Sequence, residues 1–359
     1  ISRRANFSKP VKRNDWHKYR VLEAMLSKII VSPAPHISEN LTTRRLMADV
    51  IIGLVPAVIA AGIFFRYRAL AVIGVCVLSC LVSEWVCNRL RRKPNSLGDL
   101  SAVVTGLILA LSLPPAVPYS IAVIGSVFAI VIVKMLFGGL GNNVFNPAMA
   151  ARVFLTASFG VAMTTWKVPA TVDPTMPEIK PSNVEAVTQA TPLAWSKMAL
   201  KGQAKAEEVN RQIREAFWGN VGGCIGETSA AALLLGGLYL LVRRTITFHI
   251  PLSVLLSTGI FALVGWLLKP QVFARPDFHL FSGALMLGAF FIATDPVTAP
   301  LSVLGKWLFG AGVGFLVMLI RVVGEYPEGV MFAVLIMNSL TPLIDRLCHS
   351  VPVGGKPNV

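Results

Sequence analysis

Apolar residues fall into ten blocks, at approximately 46–65, 69–88, 98–113, 116–136, 147–164, 222–242, 249–268, 279–294, 301–321 and 328–345. Polar or proline-marked breaks separate them. A helix needs about 20 apolar residues to cross roughly 30 Å of hydrocarbon. The pattern therefore predicts an all-α polytopic membrane protein with about ten transmembrane helices. Two blocks, 98–113 and 279–294, are short for a crossing. Both open in polar sequence and end near proline, at Pro114-Pro115 and at Pro296. They read as broken or tilted helices lining a protein-enclosed cavity, where irregular backbone is tolerated at membrane depth.

Five blocks stand on each side of one long polar stretch. This divides the chain into a basic N-terminal segment (1–45), a first five-helix repeat (46–164), a loop (165–221), a second five-helix repeat (222–345) and a tail (346–359). The halves echo each other. Asn95-Ser96-Leu97-Gly98-Asp99-Leu100-Ser101 opens the third block, and Phe278-His279-Leu280-Phe281-Ser282-Gly283 opens the eighth. Gly138-Gly139-Leu140-Gly141-Asn142-Asn143 precedes the fifth, and Val323-Gly324-Glu325-Tyr326-Pro327-Glu328-Gly329 the tenth. A repeat with an odd number of spans must insert its second copy upside down, the inverted-repeat design of many transporters.

Composition agrees with the membrane class: 54% of residues are hydrophobic and 14% charged, against roughly 25% charged in soluble domains. The net charge of +15 raises nucleic acid as a partner. The charges avoid the apolar blocks and gather at their ends, however, which reads as the basic rim of a membrane protein. With the N-terminus placed in the cytoplasm, 21 of the 33 Lys and Arg fall on that side, Lys134 and Arg152 among them. Both termini are thus expected in the cytoplasm and the 165–221 loop outside. The chain opens in basic, non-apolar sequence, so no signal peptide is expected there. In the N-terminal segment, Tyr19 to Ile30 has apolar residues at helical spacing, suited to the inner leaflet or to a partner. The five cysteines show no CxxC pair and no zinc spacing. Cys76 and Cys80 read as small packing residues, with iron–sulfur ligation shared with another subunit as the alternative.

Several polar runs carry candidate chemistry. Thr191-Pro192 is good helix-start sequence, and an amphipathic helix is expected over 196–217. The Gly138–Asn146 run is an amide-rich entry to a helix whose N–H groups suit a phosphate or a flavin carbonyl. The alternative is a tight helix–helix turn. Thr294-Asp295-Pro296 interrupts the eighth block and leaves carbonyls beside a carboxylate, a setting for Na+ or a proton relay. Asp295 capping the next helix, or pairing with Lys306, is the competing reading. Asp49, Glu84 and Glu227 lie within or at the edges of blocks, where an acid is a functional candidate by default. His36 and His279 flank blocks and are expected at a surface or interface.

The run Val187-Thr188-Gln189-Ala190-Thr191-Pro192-Leu193 resembles the flavinylation motif of the RnfD/NqrB family, in which the second Thr carries FMN through a phosphodiester. Further runs are similar to that family: Gly138 to Met149, Ile225-Gly226-Glu227, Leu287 to Thr298, and Ile320 to Asp345 with Tyr326-Pro327-Glu328-Gly329 and Asn338. Together they cover roughly residues 33 to 346. Two departures stand out: Glu185, where related motifs often carry Asp, and Leu285, where relatives often have Thr. Gln189 followed by Pro192-Leu193 looks more like the RnfD branch, from the Rnf complex, than like the NqrB branch, from the Na+-translocating quinone reductase.

The resemblance implies a subunit of an ion-translocating ferredoxin:NAD+ oxidoreductase in a bacterial or archaeal cytoplasmic membrane. It implies covalent FMN on Thr191, with Thr188, Gln189, Ala190 and Pro192 as motif neighbours, and a second, non-covalent flavin such as riboflavin. Asn142, Asn143, Asn146 and Arg152 are candidate flavin or phosphate contacts. Thr294, Asp295, Asp49, Glu227 and Glu328 are candidates for an ion path for Na+ or H+. Partner subunits of the A, B, C, E and G types would bind ferredoxin and NAD+, since no Rossmann fingerprint or cluster-binding cysteine set is present. A flavin transferase is implied for maturation, because a neutral Thr is a poor nucleophile. A flavin-free inverted-repeat transporter or channel, and a non-redox scaffold subunit, are the rivals from other classes.

Overall fold

The computed structural model describes residues 42–92, 94–166, 191–204, 206–219, 221–227 and 229–348. The N-terminal segment with His36, the motif neighbours Thr188, Gln189 and Ala190, the departure at Glu185, and the tail beyond 348 lie outside the described residues. All regular structure among the described residues is helical.

Helix α1, Thr43–Leu90, contains a non-helical residue, Arg66 (φ 57°, ψ −148°). A methyl placed on Gly62 would meet the Leu70 side chain at 3.6 Å. Eight residues of straight helix would separate these positions by about 12 Å. The chain therefore doubles back at Arg66, giving the two spans expected at 46–65 and 69–88. Arg68, just past the reversal, donates from Nε to Pro115 O (3.0 Å) and from Nη2 to Ala116 O (3.2 Å).

Helix α2, Ser101–Ser112, has 12 residues, about 18 Å of helix, too short to cross a bilayer. A single 3-10 turn, Leu97–Asp99, leads into it, and Asp99 Oδ1 accepts the Ser101 N–H at 2.8 Å. At its other end the carbonyls of Leu111 and Leu113 accept N–H groups of Gly226 (2.6 Å) and Ile225 (2.9 Å). The segment entering the second half thus satisfies carbonyls that a helix C-terminus leaves open. Only glycine fits at 226, because an added Cβ would lie 2.7 Å from the Leu111 Cβ.

Helix α3, Tyr119–Val127, continues through a π-helical stretch, Phe128–Met135. Helix α4, Pro147–Ser158, begins with Asn146 accepting the N–H groups of Ala148 and Met149. It stops at Phe159 (φ −130°, ψ 44°) before one further turn, Gly160–Met163.

Three short helices replace the single amphipathic helix expected over 196–217: α5, Pro192–Leu200; α6, Ala206–Arg211; and α7, Ile213–Trp218. Lys201-Gly202 interrupts the pattern, with Gly202 at φ +75° in the left-handed region that ends helices.

The second half comprises α8, Ala230–Val242; α9, His249–Leu268; α10, Pro276–Phe281; α11, Leu285–Leu287, continued by the π-helical Gly288–Ile292; α12, Val303–Val323; and α13, Val330–Leu347. The eighth span is broken at Ser282-Gly283, where Gly283 has φ +72°, near its start, in addition to ending at Ile292 just before the interruption expected at Thr294-Asp295-Pro296. Thr43–Leu90, His249–Leu268, Val303–Val323 and Val330–Leu347 are long and apolar enough to cross a membrane. Their outward faces carry exposed Ile59, Ile63, Leu78, Ile260 and Leu267. One core joins the two halves, with Leu109, Met149, Ile225, Leu287, Phe291 and Val334 all buried in it.

The two halves make comparable polar contacts. From the fourth span of the first half, Lys134 reaches Ser101 Oγ (2.5 Å) at the start of the short third span. From the fourth span of the second half, Arg321 reaches the carbonyls of His279 (2.7 Å) and Ser282 (2.9 Å) at the break in the eighth. Each cation is also paired with a carboxylate, Lys134 with Glu84 at 2.8 Å and Arg321 with Glu328 at 3.6 Å.

Candidate functional site

Thr191 stands immediately before α5 and acts as its N-cap: Oγ1 accepts the Ala194 N–H at 3.2 Å, and Pro192 occupies the first helical position. The residue is 7% exposed. Leu193 and Ala199 of α5 pack with Val209, Ala274 and Phe278 in a small cluster apart from the main core. Lys197 fastens the same helix by donating to the carbonyls of Gly324 and Glu325. Burial holds the Lys197 ammonium below its usual pKa, and the Glu325 carboxylate opposes that shift.

A cavity of about 10 Å³ opens beside Thr191, lined also by Leu193, Val221, Gly222, Glu227, Ser282 and Gly283. Gly283 is held tightly here. A Cβ would overlap the Glu328 carboxylate and lie 2.5 Å from Leu193 Cδ1. Glu328 Oε2 accepts the Ala284 N–H at 2.9 Å, and Oε1 accepts the N–H groups of Gly329 and Val330. The break in the eighth span and the turn before α13 thus form one seat for the Thr191 helix.

On the far side of Glu227 lies a second cavity, of about 20 Å³, lined by Arg152, Glu227, Glu328 and Ser112 among apolar side chains. The Arg152 guanidinium is buried and donates to two sulfurs, Met163 Sδ (3.5 Å) and Cys224 Sγ (3.3 Å). A larger cavity, of about 100 Å³, is lined by Asn143, Asn146, Thr294, Asp295, Lys134 and Ser101 together with apolar residues of α1, α2 and α8. Asp295 is held by the Val297 N–H (3.1 Å), the Thr298 hydroxyl (3.3 Å) and Asn146 Nδ2 (3.4 Å), rather than by Lys306. With its carboxamide turned to suit its neighbours, Asn338 accepts the Asn146 backbone N–H at 3.1 Å.

The match to the NQR2, RnfD, RnfE family model runs over residues 30–354. The chain belongs to this family. It is 44% identical over 321 residues to the D-type subunit of the Na(+)-translocating ferredoxin:NAD(+) oxidoreductase complex of Acetobacterium woodii, covering 89% of this chain and 93% of that one. It is 42% identical over 348 residues to the D-type subunit of the ion-translocating oxidoreductase complex of Yersinia pseudotuberculosis, covering 91% and 98%. The corresponding protein of Cronobacter sakazakii is 41% identical over 343 residues, with 89% and 97% covered. The family expected from the motifs is therefore borne out, and with it the helical membrane fold.

Within this family fold the candidate residues separate into three places. Asn143, Asn146, Thr294 and Asp295 share the large cavity, while Asn142 is exposed and does not line it. Arg152 does not join the asparagines; it faces Glu227 and Glu328 instead. Asp49 lies apart from both, paired with Arg243 (3.4 Å) and accepting from the hydroxyls of Tyr239 and Thr245 at 3.1 Å each.

His279, expected at a surface or interface, is 2% exposed and packs beside Phe273 and Phe278. Lys134 and Arg152, counted above among cytoplasmic rim charges, are 2% and 7% exposed. Sequence reasoning missed the Lys134–Glu84 pair and the Arg321 hub. A lysine inside an apolar block was the one available signal for the first.

Proposed function

We propose that the chain is the D-type membrane subunit of an ion-translocating ferredoxin:NAD+ oxidoreductase. In this reading it carries FMN on Thr191 through a phosphodiester, and electron transfer through it is coupled to Na+ or H+ movement. The similarity over most of both chains to subunits bearing that name supports the complex-level assignment. The observation that carries the site is the placement of the Thr191 hydroxyl at the N-terminus of the nine-residue α5, beside a small cavity whose wall includes Glu227 and Ser282. The positive end of a helix dipole favours phosphate at its N-terminus. The cavity is far too small for a flavin ring, so the ring would lie outside it, with only the phosphate end near Ser282 and Gly283. When bound, FMN supplies one-electron chemistry that bridges iron–sulfur clusters and nicotinamide.

The chain's own residues position that attachment. Lys197 and Leu193 fix α5 against the second repeat, and Glu328 and Arg321 fix the break on which Leu193 rests. The motif neighbours Thr188, Gln189 and Ala190 precede Thr191 directly and would present it to a flavin transferase. The larger cavity, with Asn143 and Asn146 at its wall, is the proposed place for a second, non-covalent flavin such as riboflavin. Thr294 and Asp295 there, and Glu227 and Glu328 on the Thr191 side, are the proposed ion-handling groups.

Ferredoxin and NAD+ would bind partner subunits of the A, B, C, E and G types. Both termini are proposed to face the cytoplasm of a multi-pass bacterial or archaeal cytoplasmic-membrane protein, with Thr191 on the outer side. The test is ferredoxin-dependent NAD+ reduction in membrane vesicles carrying the assembled complex. Thr191→Ala is expected to reduce it to background. Undiminished electron transfer in an assembled Thr191→Ala complex overturns the reading.

A further inference from the structure

Ser282 is 1% exposed, and its Oγ makes no hydrogen bond. Buried hydroxyls are almost always paired, so an unpaired one at the wall of a cavity marks the place of a missing partner. That cavity is the one beside Thr191, and its volume of about 10 Å³ is close to a single oxygen-sized sphere.

Ser282 is also held in place from behind. It ends α10 in extended backbone (φ −99°, ψ 143°), so its side chain is not folded back along a helix. Its carbonyl accepts Arg321 Nη2 at 2.9 Å, and the His279 carbonyl one turn earlier accepts Nη1 at 2.7 Å. The Arg321 guanidinium, 3% exposed, lies close enough that a Cβ on Gly283 would stand 3.1 Å from Nη2. An oriented hydroxyl therefore sits at the wall that faces Thr191, braced from behind by the Arg321–Glu328 pair.

We propose that Ser282 is a binding residue for the group carried by Thr191, its hydroxyl donating to a non-bridging phosphoryl oxygen of the ester. The proposal rests on Thr191 being the attachment site. A phosphodiester has two non-bridging oxygens that only accept, so it needs donors. At the start of α5 the Ala194 N–H is already taken by Thr191 Oγ1, at 3.2 Å. Glu227, on the same cavity, accepts the Cys224 N–H at 3.4 Å. Ser282 is the hydroxyl on this wall with its donor uncommitted.

The test uses the full complex, co-expressed with its flavin transferase and purified in detergent. Ser282→Ala and Ser282→Thr are compared with wild type and with Thr191→Ala. Two readouts are taken: covalent flavin per protein by in-gel fluorescence, and the phosphorus-31 chemical shift of the covalent phosphodiester after delipidation. Ser282→Ala is expected to lower flavin loading severalfold and to move the phosphorus resonance of what remains. Ser282→Thr, which keeps the hydroxyl, is expected to restore both.

Wild-type loading with an unmoved resonance in Ser282→Ala means that Ser282 faces only water, and overturns the proposal. Ser282→Cys, close in volume but a weak donor, reads the same way if the alanine variant fails to assemble. Covalent flavin retained in Thr191→Ala is a different failure, since it removes the attachment site itself.

Discussion

Replacing Lys134 with Met tests whether the buried pair in the first repeat holds that half together. Lys134 is 2% exposed and Glu84 fully buried, with Nζ 2.8 Å from Glu84 Oε2. Ser96 Oγ donates to the other carboxylate oxygen at 2.5 Å, and Asn88 Nδ2 donates to Ser96 Oγ at 2.8 Å. Lys134 also reaches Ser101 Oγ at 2.5 Å, and that hydroxyl donates onward to Asp99 Oδ1 at 2.5 Å. Taking away the ammonium leaves a carboxylate at membrane depth with one hydroxyl donor. Breaking a buried pair from one side costs about 3–5 kcal/mol. At roughly 2 °C per kcal/mol for a long chain, Lys134→Met should melt about 6–10 °C below wild type. Removing both charges, as Glu84→Gln with Lys134→Met, should recover most of the loss, since paired replacement of a buried ion pair is often neutral. The assay is thermal unfolding of the detergent-solubilised protein, followed by fluorescence-detected size exclusion after heating. A single variant as stable as wild type would refute the reasoning, as would a double variant no more stable than the single.

Other substitutions probe the contacts between the halves and the polar cavities. Gly226→Ala sets a methyl 2.7 Å from the Leu111 Cβ and 3.0 Å from its carbonyl oxygen. It should cost about 1–3 kcal/mol through overpacking, read as a lower melting temperature in the same assay. Tyr239→Phe removes the hydroxyl donated to Asp49 at 3.1 Å; about 1 kcal/mol of stability should be lost, with Arg243 keeping the carboxylate paired. Asp295→Asn removes the charge from the wall of the large cavity, and ion transport measured in proteoliposomes should fall while electron transfer persists. Unchanged ion transport removes Asp295 from the proposed path.

Much of the fold was legible in the residue pattern because each feature had a local cause. Span length marked the helices, proline and polar residues marked the two short third spans of the repeats, and Asn146-Pro147 marked the start of α4. The chemistry of the interior was less legible because its partners are far apart along the chain. Lys134 meets Glu84 across 50 residues, and Arg152 meets Cys224 across 72. Neither separation leaves a spacing to read, so both cations passed for rim charges. His279 is hidden for the same reason: the break at Ser282-Gly283 folds α10 onto Arg321, whose guanidinium takes the His279 carbonyl. The loop helix expected over 196–217 failed at Lys201-Gly202, where a local stop signal outweighed the apolar periodicity on either side. Thr191 combined two legible signals, a helix-start pair and a modification motif, and its use as an N-cap does not conflict with esterification, since an ester oxygen keeps a lone pair for the Ala194 N–H.

Whether Thr191 carries a covalent flavin is decided by in-gel flavin fluorescence of the denatured chain, co-expressed with an active flavin transferase. A fluorescent band is expected at the mass of this chain, disappearing in Thr191→Ala while the protein still reaches the membrane. A dark wild-type band, or a band that survives the substitution, would contradict it.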